Sequence, residues 1–290
     1  MTKPVLITGG AGSVGRQLAG MLLEANRPVR ILDLPFMDFT GLEGEDNVEV
    51  LKGDITDKGS VSSAVAGVGG VLHLAAILPP KSEADRDLTF RVNVDGTRNI
   101  VNAIKNESPD ASLVFTSSIS TYGDTSNEDQ PIMVDHAQEA IDVYAASKIA
   151  GEKVVMSSGV NYVILRIASI AVPDFLEPPD PWPFTADQRV EMVHRDDVAD
   201  ALINAVDSKE AFGKVLNIAG GKSWRLSGGD YVEDFFNVMG APLEMAVYRE
   251  TPGWNDWYDT TESQRLLNYQ NRSYEHYSSQ MKTLVEDMIA

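Results

Sequence analysis

A tyrosine and a lysine four residues apart are well suited by type and spacing to move a proton. They are Tyr144 and Lys148, in the segment Tyr-Ala-Ala-Ser-Lys, and on a helix this spacing places the phenol and the ammonium on the same face. A free tyrosine has a pKa of about 10 and is a poor base at neutral pH, whereas a nearby ammonium lowers that pKa. Ser118, further upstream, offers a hydroxyl that can hold a substrate oxygen. Together the three residues predict proton transfer at an alcohol or carbonyl oxygen.

A glycine-rich loop near the start of the chain predicts a site for the pyrophosphate of a dinucleotide. The pattern G-x-x-G-x-x-G follows an apolar run at Val5–Thr8 and opens a helix. Its glycines permit a tight turn and a close backbone approach, so the N-terminus of the helix can face a pyrophosphate. Arg and Gln follow the last glycine, where a triphosphate-binding loop needs Lys and Ser or Thr. The residues assigned to this site are Gly9, Gly12, Ser13, Val14 and Gly15.

An acidic residue at the end of the second predicted strand indicates which cofactor the loop binds. Asp33 can accept hydrogen bonds from an adenosine ribose, and its charge would repel a 2′-phosphate. The segment between Asp33 and Lys52 contains neither Lys nor Arg to receive such a phosphate. We therefore expect NAD rather than NADP, with Leu34 in the same site. The alternative is that Asp33 is a solvated turn residue.

Alternating strand-like and helix-like segments predict the fold class. Short apolar runs separated by helices indicate parallel strands covered on both faces, and hence a Rossmann-type α/β fold with a doubly wound parallel sheet. In that architecture the carboxyl ends of the strands line one crevice, where ligands bind. The predicted strands are Val5–Thr8, Val29–Asp33, Val48–Leu51, Val71–Ala75, Leu113–Ser117 and Tyr162–Arg166, and the predicted helices are Ser13–Asn26, Phe90–Asn106 and Ile141–Ser157.

The pattern changes after Ala171, where five prolines predict a loop, Ala171–Phe184, that is either a lid or a plain connection. A helix at Asp196–Val206, a strand at Lys214–Ile218 and a helix at Ser227–Met239 follow, and then an aromatic-rich tail. We predict an NAD-binding domain at residues 1–170 and a small substrate-binding subdomain at 171–290 that shares its core.

Composition excludes several classes of function. The chain has 290 residues and a net charge of −19, so it repels nucleic acid and anionic membranes. It has no cysteine, which excludes disulfides and thiolate metal sites. The four histidines show no metal-ligand spacing, and no apolar run reaches the length of a membrane span. With no signal peptide recognisable at the N-terminus, we expect a cytoplasmic protein.

Six further motifs, taken with Tyr144-x-x-x-Lys148, resemble the extended short-chain dehydrogenases/reductases of the NAD-dependent epimerase/dehydratase family. The resemblance covers essentially the whole chain. The motifs are Thr8-Gly9-Gly10-Ala11-Gly12-Ser13-Val14-Gly15, Gly53-Asp54-Ile55, His73-Leu74-Ala75-Ala76, Asn93-Val94-Asp95-Gly96-Thr97, Ser117-Ser118-Ile119-Ser120-Thr121-Tyr122-Gly123 and His194-Arg195-Asp196-Asp197-Val198-Ala199.

The resemblance implies a role for each matched position. It implies that Tyr144 is the acid/base, that Lys148 lowers its pKa and binds the nicotinamide ribose, and that Ser118 donates to the substrate oxygen. It also implies a homodimer in which the two long helices of each subunit form a four-helix bundle. The remaining implied residues are Asp54 and Ile55 against adenine, Leu74, Ala75 and Ala76 beside the pyrophosphate and ribose, and Asn93 supporting the active-site helix, for which the alternative is a helix-capping Asn.

The substrate stays open between alternatives. The expected reaction is that of a nucleotide-sugar epimerase, in which NAD takes a hydride from a secondary alcohol of a sugar-like substrate. Ile119-Ser120 follows Ser118 where sugar-nucleotide dehydratases of the family usually have an Asp-Glu pair, which disfavours 4,6-dehydration. Ser169 stands where epimerases often carry Asn, which weakens the nucleotide-sugar expectation. The segment Arg166–Ser169 resembles uronate dehydrogenases, so a dehydrogenase of a free sugar or sugar acid is the first alternative, and a non-catalytic NAD-sensing module is the second.

An anionic substrate would need a cationic partner. Four arginines are candidates for that contact, and we expect at least one of them to face the substrate, although a surface salt bridge is the commoner role for any single one. Four tryptophans are candidates for stacking on a sugar or base, although core packing is the commoner role. These residues are Arg189, Arg195, Arg225, Arg249, Trp182, Trp224, Trp254 and Trp257.

Overall fold

A computed structural model of the chain describes residues 2–174 and 178–289. The sequence-predicted loop Ala171–Phe184 therefore falls partly outside the described residues, at positions 175–177. Its first residue belongs to a short strand, and near its other end the backbone N–H of Trp182 donates to the carbonyl of Val247 at 2.8 Å.

Seven strands form one sheet in the order β10-β6-β5-β4-β1-β2-β3. The pairs β1–β2, β2–β3, β1–β4 and β4–β5 are parallel. Because β1 lies between β2 and β4, the chain direction across the sheet reverses there, and such a reversal opens a crevice at the carboxyl ends of the strands. The Rossmann-type fold class predicted from the sequence is confirmed. The strands are β1 Val5–Thr8, β2 Val29–Asp33, β3 Val48–Lys52, β4 Gly70–His73, β5 Ser112–Ser118, β6 Asn161–Ile167, β7 Ile170–Ala171, β8 Arg189–Glu191, β9 Val193–His194, β10 Lys214–Ile218 and β11 Arg225–Ser227.

Ten α-helices lie among the described residues, and several were not recognised in the sequence. The predicted helix Phe90–Asn106 is α4, a π-helical segment at Arg91–Gly96, and α5 in succession. In the aromatic-rich tail, Tyr274, Tyr277 and Met281 share one face of a helix. The helices are α1 Ser13–Glu24, α2 Lys58–Val65, α3 Lys81–Ala84, α4 Arg86–Phe90, α5 Thr97–Glu107, α6 Val143–Met156, α7 Arg195–Asp207, α8 Gly228–Met239, α9 Thr261–Leu267 and α10 Tyr274–Ile289.

The chain forms two compact units, each assembled from separate stretches of sequence. The first comprises residues 1–118, 140–165 and 201–215, and the second comprises 119–139, 166–200 and 216–290. The first unit buries aliphatic side chains of the strands and of α2 and α5, whereas the second buries aromatic side chains such as Trp182, Phe184 and Trp224. The division into an NAD-binding domain at residues 1–170 and a substrate-binding subdomain at 171–290 that shares its core stays a prediction.

Replacement by alanine is expected to change stability in opposite directions at two helical glycines of the first unit. A Cβ atom at Gly20 meets nothing within 4 Å, whereas one at Gly151 lies 2.8 Å from Cζ of the buried Phe115. Gly20→Ala is expected to raise the free energy of unfolding by about 0.5–1 kcal/mol through helix propensity. Gly151→Ala is expected to lower it by about 1–3 kcal/mol because Phe115 must shift. Urea denaturation measures both, and two changes of the same sign would contradict the packing of α6 on β5.

Candidate active site

The glycine loop adopts a shape that other residues would disrupt. Gly9 has a φ of 71°, and a Cβ atom there would lie 3.0 Å from the backbone nitrogen of Ala75. A Cβ atom on Gly15 would lie 2.5 Å from Cα of Gly10. Gly12 is the N-cap of α1, and the N–H groups of the first turn, at Ser13 and the residues after it, have no carbonyl partner within the helix. The loop therefore fits a pyrophosphate, as the sequence predicts.

Asp33 is fixed at the end of β2 by two backbone hydrogen bonds. Its Oδ2 accepts from the N–H of Ala11 at 2.9 Å, and its Oδ1 accepts from the N–H of Leu34 at 2.8 Å. The carboxylate thus joins the glycine loop to the second strand, which the sequence did not indicate. Because each carboxylate oxygen can accept a further hydrogen bond, this arrangement fits a ribose diol.

The residues predicted to contact adenine lie directly after β3. Asp54 Oδ1 accepts from the N–H of Thr56 at 2.8 Å, and the carbonyl of Ile55 accepts from Asn99 Nδ2 at 3.0 Å. The side chain of Ile55 is buried and packs so close to Gly96 that a Cβ there would lie 2.6 Å from its Cδ1. The structure fixes both positions, and their contact with adenine stays a prediction.

A buried histidine connects the end of β1 with the start of α5. Thr97 Oγ1 donates to the carbonyl of Asn93 at 2.7 Å, so its oxygen accepts from Nε2 of His73 at 3.0 Å. The Nδ1 atom of His73 is then the acceptor for the Thr8 hydroxyl at 2.7 Å, and this oxygen in turn accepts from the N–H of Ala75 at 3.3 Å. Burial, aided by the charge of Lys148, lowers the pKa of His73 to about 3, in keeping with this neutral tautomer.

Asn93 extends this path to the helix that carries the tyrosine. Its Oδ1 accepts from the N–H of Ile77 at 2.7 Å, and its Nδ2 donates to the carbonyl of Ile77 at 3.1 Å and to Ser147 Oγ at 2.9 Å. Ser147 Oγ donates to the carbonyl of Tyr144 at 2.7 Å. The π-helical segment presents Asn93 at the point where the chain after β4 meets α6, so the amide holds the two together.

The tyrosine and the serine predicted to act on a substrate are brought together. Ser118 ends β5, and its hydroxyl is hydrogen bonded to Tyr144. The electrostatics differ from the expectation for the pair Tyr144 and Lys148. Burial and the charge of Asp142 raise the pKa of Tyr144, and the bond to Ser118 opposes them only in part. The phenol is therefore protonated across the neutral range in the ligand-free chain.

Lys148 is a buried cation with three kinds of neighbour. Its Nζ donates to the carbonyl of Thr116 at 2.8 Å and lies 5.6 Å from the centre of the Tyr144 ring. Burial lowers its pKa to about 8, although the charge of Glu152 opposes that shift. Glu152 is fully buried and accepts from Ser117 Oγ at 2.5 Å. The i, i+4 spacing of Lys148 and Glu152 on α6 is the one sequence signal for this pair.

Two carboxylates set the start of α6. Asp142 is the N-cap and accepts from the N–H of Ala145 at 2.6 Å. Glu83, on α3, accepts from the N–H groups of Val143 at 2.9 Å and Tyr144 at 3.1 Å. No pattern around Glu83 points to this role, because its partners lie sixty residues further along the chain.

The candidate arginines of the second unit are mostly engaged in ion pairs. Arg189 Nε lies 2.7 Å from Asp256 and Arg225 Nε lies 3.1 Å from Glu191, and both carboxylates are fully buried rather than on the surface. Arg195 Nε lies 3.5 Å from its neighbour Asp196. The buried Trp182 and Trp224 pack in the core. Within the described part of the chain, no cluster of His and acidic residues could hold a metal ion, and no helix is long and apolar enough to cross a membrane.

Comparison with known proteins identifies the family. The 3-beta hydroxysteroid dehydrogenase/isomerase family matches residues 6–166, which is more than half of the chain. The chain belongs to this family. It is 34% identical over 182 residues to the D-erythronate dehydrogenase of Cupriavidus necator, a match that covers 58% of this chain and 55% of that protein. The chain thus matches only about half the length of its curated relatives.

Solved structures show that this member of the 3-beta hydroxysteroid dehydrogenase/isomerase family has a widely shared fold. A short-chain dehydrogenase/reductase superfamily protein from Agrobacterium tumefaciens with bound NAD gives a TM-score of 0.80 at 24% identity, over 99% of this chain and 98% of that one. A UDP-N-acetylglucosamine 4-epimerase from Methanobrevibacter ruminantium gives 0.80 at 22% identity, over 99% and 98%. Together with the family match over residues 6–166, this shared fold confirms the resemblance to the extended short-chain dehydrogenases/reductases.

The buried His73 predicts an acid-dependent loss of stability. Its pKa is about 3 when folded, against 6.5 for an ordinary histidine, so below pH 6.5 the unfolded chain binds a proton that the folded chain does not. The stability from His73 is complete above pH 6.5 and falls by about 1.4 kcal/mol per pH unit down to pH 3.

We expect His73→Gln to destabilise the protein at pH 7.5 and to lose most of this pH dependence. Urea denaturation at pH 7.5, 6 and 5 measures the gap in unfolding free energy between wild type and variant, which should shrink by about 1–2 kcal/mol toward pH 5. His276→Gln is the control, because His276 is exposed. A gap that stays constant with pH would show that His73 is not held neutral.

Proposed function

We propose that this chain is an NAD-dependent oxidoreductase that removes a hydride from a secondary alcohol of a sugar-like substrate. The observation that carries the proposal is the hydrogen-bonded pair Ser118 and Tyr144, with the buried Lys148 ammonium beside the phenol ring. Asn93 ties the helix bearing Tyr144 to the chain that follows β4. A glycine loop alone would suit a sensing module, whereas a buried acid/base pair suits catalysis.

The residues around the glycine loop would hold NAD. The loop and the first turn of α1 would bind its pyrophosphate, Asp33 its adenosine ribose, and Lys148 its nicotinamide ribose. When bound, NAD supplies the hydride acceptor and a positive charge that favours the phenolate form of Tyr144. This charge offsets the burial and the Asp142 carboxylate that raise the pKa of the phenol.

The hydroxyls of Ser118 and Tyr144 then have different roles at the substrate oxygen. Ser118 donates a hydrogen bond that holds the oxygen, and Tyr144 Oη takes the proton of the alcohol as the hydride leaves the carbon. In the reverse direction Tyr144, which is protonated in the ligand-free chain, donates that proton to a carbonyl oxygen. Lys148 keeps its positive charge below pH 8 and stabilises the phenolate from beside the ring.

Net dehydrogenation and epimerisation use the same residues and differ in where the hydride ends. The 34% identical relative is named a dehydrogenase, which supports net oxidation with release of NADH. The nucleotide-sugar epimerase predicted from the sequence would return the hydride to the substrate and release no NADH. Absorbance at 340 nm over a panel of sugars, sugar acids, nucleotide sugars and a 3-beta-hydroxysteroid separates the two. The homodimer and the cytoplasmic location also stay predictions. The two long helices that would form the four-helix bundle of the dimer, α5 and α6, pack against each other within one chain.

Tyr144→Phe is expected to abolish turnover and to leave NAD binding intact, because only the phenolic oxygen is lost. Turnover should fall by at least about 10³-fold, the scale of general acid–base catalysis, while calorimetry gives an NAD dissociation constant within a few-fold of wild type. Tyr162→Phe, on a partly buried strand tyrosine, is the matched control and should keep full activity. Substantial turnover by Tyr144→Phe would remove the catalytic assignment.

Asp33→Ala is expected to reduce the preference for NAD over NADP. The substitution removes the charge that repels a 2′-phosphate and an acceptor for the ribose hydroxyls. The ratio of kcat/KM for the two cofactors measures the change, and Asp46→Ala, which removes an exposed carboxylate between β2 and β3, should leave it unaltered. An unchanged ratio in Asp33→Ala would contradict the assignment of Asp33 to the ribose.

A further inference from the structure

A cleft in the second unit is lined mainly by polar side chains, and none of the residues assigned above to proton transfer lines it. Its volume is about 360 Å³, near the lower end of the range for small-molecule pockets. The lining residues that matter for its chemistry are Ser126, Asp187, Gln188, Arg189, Asn255 and Asp256. A cleft of this size suits a group as small as one sugar ring.

Asn255 contributes a buried polar atom that lacks a partner. Its side chain is 1% exposed, and its Oδ1 accepts from Ser169 Oγ at 3.3 Å. Its Nδ2 makes no hydrogen bond to any of the residues that the structure describes. Turning the amide by 180° exchanges the two atoms and still leaves one of them unpartnered. Because a buried polar group without a partner is unfavourable, a hydrogen-bonding ligand in the cleft would stabilise it.

The loop that carries Asn255 is held in place by Gln188. Both polar atoms of this buried side chain are used: Nε2 donates to the carbonyls of Gly253 at 2.9 Å and Asn255 at 2.8 Å, and Oε1 accepts from the N–H of Gly253 at 3.0 Å. The unpartnered amide of Asn255 is therefore held in position before any ligand binds, and such preorganisation lowers the entropic cost of binding.

The cation of the cleft is neutralised by a buried carboxylate. Arg189 donates from Nε to Asp256 Oδ1 at 2.7 Å and from Nη2 to Asp256 Oδ2 at 3.3 Å. Thr125 Oγ1 donates to the same carboxylate at 2.8 Å and fixes it further. Asp187 adds an exposed carboxylate to the lining. One arginine and two aspartates leave the lining with a net negative charge, which disfavours an entering anion.

We propose that this cleft binds an uncharged, hydroxyl-rich group, a sugar or a polyol, and discriminates against the same group when it bears a carboxylate or a phosphate. Asn255 hydrogen bonds to a ligand hydroxyl, and the Arg189–Asp256 pair presents donors and acceptors without a free positive charge. The proposal goes beyond the proposed function and does not depend on it. It names the chemistry of the group that the cleft binds, and it holds whether or not that group is the one that is oxidised.

Matched pairs of ligands test the discrimination on the full chain. Calorimetry compares erythritol with erythronate, chosen because the Cupriavidus necator relative is named for it, and D-glucose with D-glucuronate and glucose 6-phosphate. In at least one pair the uncharged member should bind about tenfold more tightly than its anionic counterpart, a difference of about 1.4 kcal/mol. Equal or tighter binding of the anions, or no binding of any uncharged member, would overturn the proposal.

Two substitutions test the atoms that the proposal names. Asn255→Ala should weaken binding of the uncharged ligand about tenfold, whereas Asn237→Ala, on the exposed face of α8, should leave it unchanged. Asp256→Asn keeps the shape of the side chain and frees the charge of Arg189, so the anionic member of the pair should gain affinity. If Asn255→Ala binds the uncharged ligand as wild type does, or if Asp256→Asn folds and gains no affinity for the anion, the proposal is wrong.

Binding and turnover can fail separately. An uncharged ligand that binds with the predicted selectivity supports the site whether or not it is oxidised, and a chain that oxidises no member of the substrate panel would contradict the proposed function alone. An anionic substrate that is oxidised, with no selective binding of the uncharged ligands, would support the proposed function and overturn the site.

Discussion

The side-chain amide of Asn93 joins the chain that leaves β4 to the helix that carries Tyr144. It uses both of its polar atoms, and its own carbonyl accepts from Thr97, which is bonded to the buried His73. Position is what this path supplies, because a reacting group misplaced by about 1 Å can lose on the order of 10² in rate. Tyr144 faces Ser118 because these hydrogen bonds fix the position of α6 relative to the end of β4.

Burial governs the charges of the site more than pairing does. It raises the pKa of Tyr144 and lowers that of Lys148 to about 8, in each case against a neighbour that acts in the opposite sense. In the ligand-free chain the phenol of Tyr144 is therefore protonated and can act as an acid. The positive ring of a bound nicotinamide would favour its deprotonated form, which can act as a base. In the second unit, Asp256 and Glu191 are fully buried opposite Arg189 and Arg225, and burial raises the pKa of Glu191 to about 7 against the opposing charge of Arg225.

Local patterns predicted the sheet because its strands are short apolar runs, and β1, β2 and β10 match their predicted bounds. The glycine loop and the Tyr144–Lys148 spacing were visible for the same reason. What could not be predicted depends on contacts between distant residues: Glu83 at the start of α6, the tautomer of His73, and the buried partners of the arginines. The π-helical turn at Asn93 was hidden because its sequence is that of an ordinary helix.

Comparing turnover with NAD affinity in Asn93→Leu tests whether Asn93 positions Tyr144. The substitution removes the hydrogen bonds to Ile77 and Ser147 and leaves the glycine loop and Asp33 untouched. We expect kcat to fall by about 10²-fold for the substrate that wild type oxidises, with an NAD dissociation constant within a few-fold of wild type. If Asn93→Leu is folded, as a cooperative urea transition would show, and retains wild-type kcat, Asn93 does not position Tyr144.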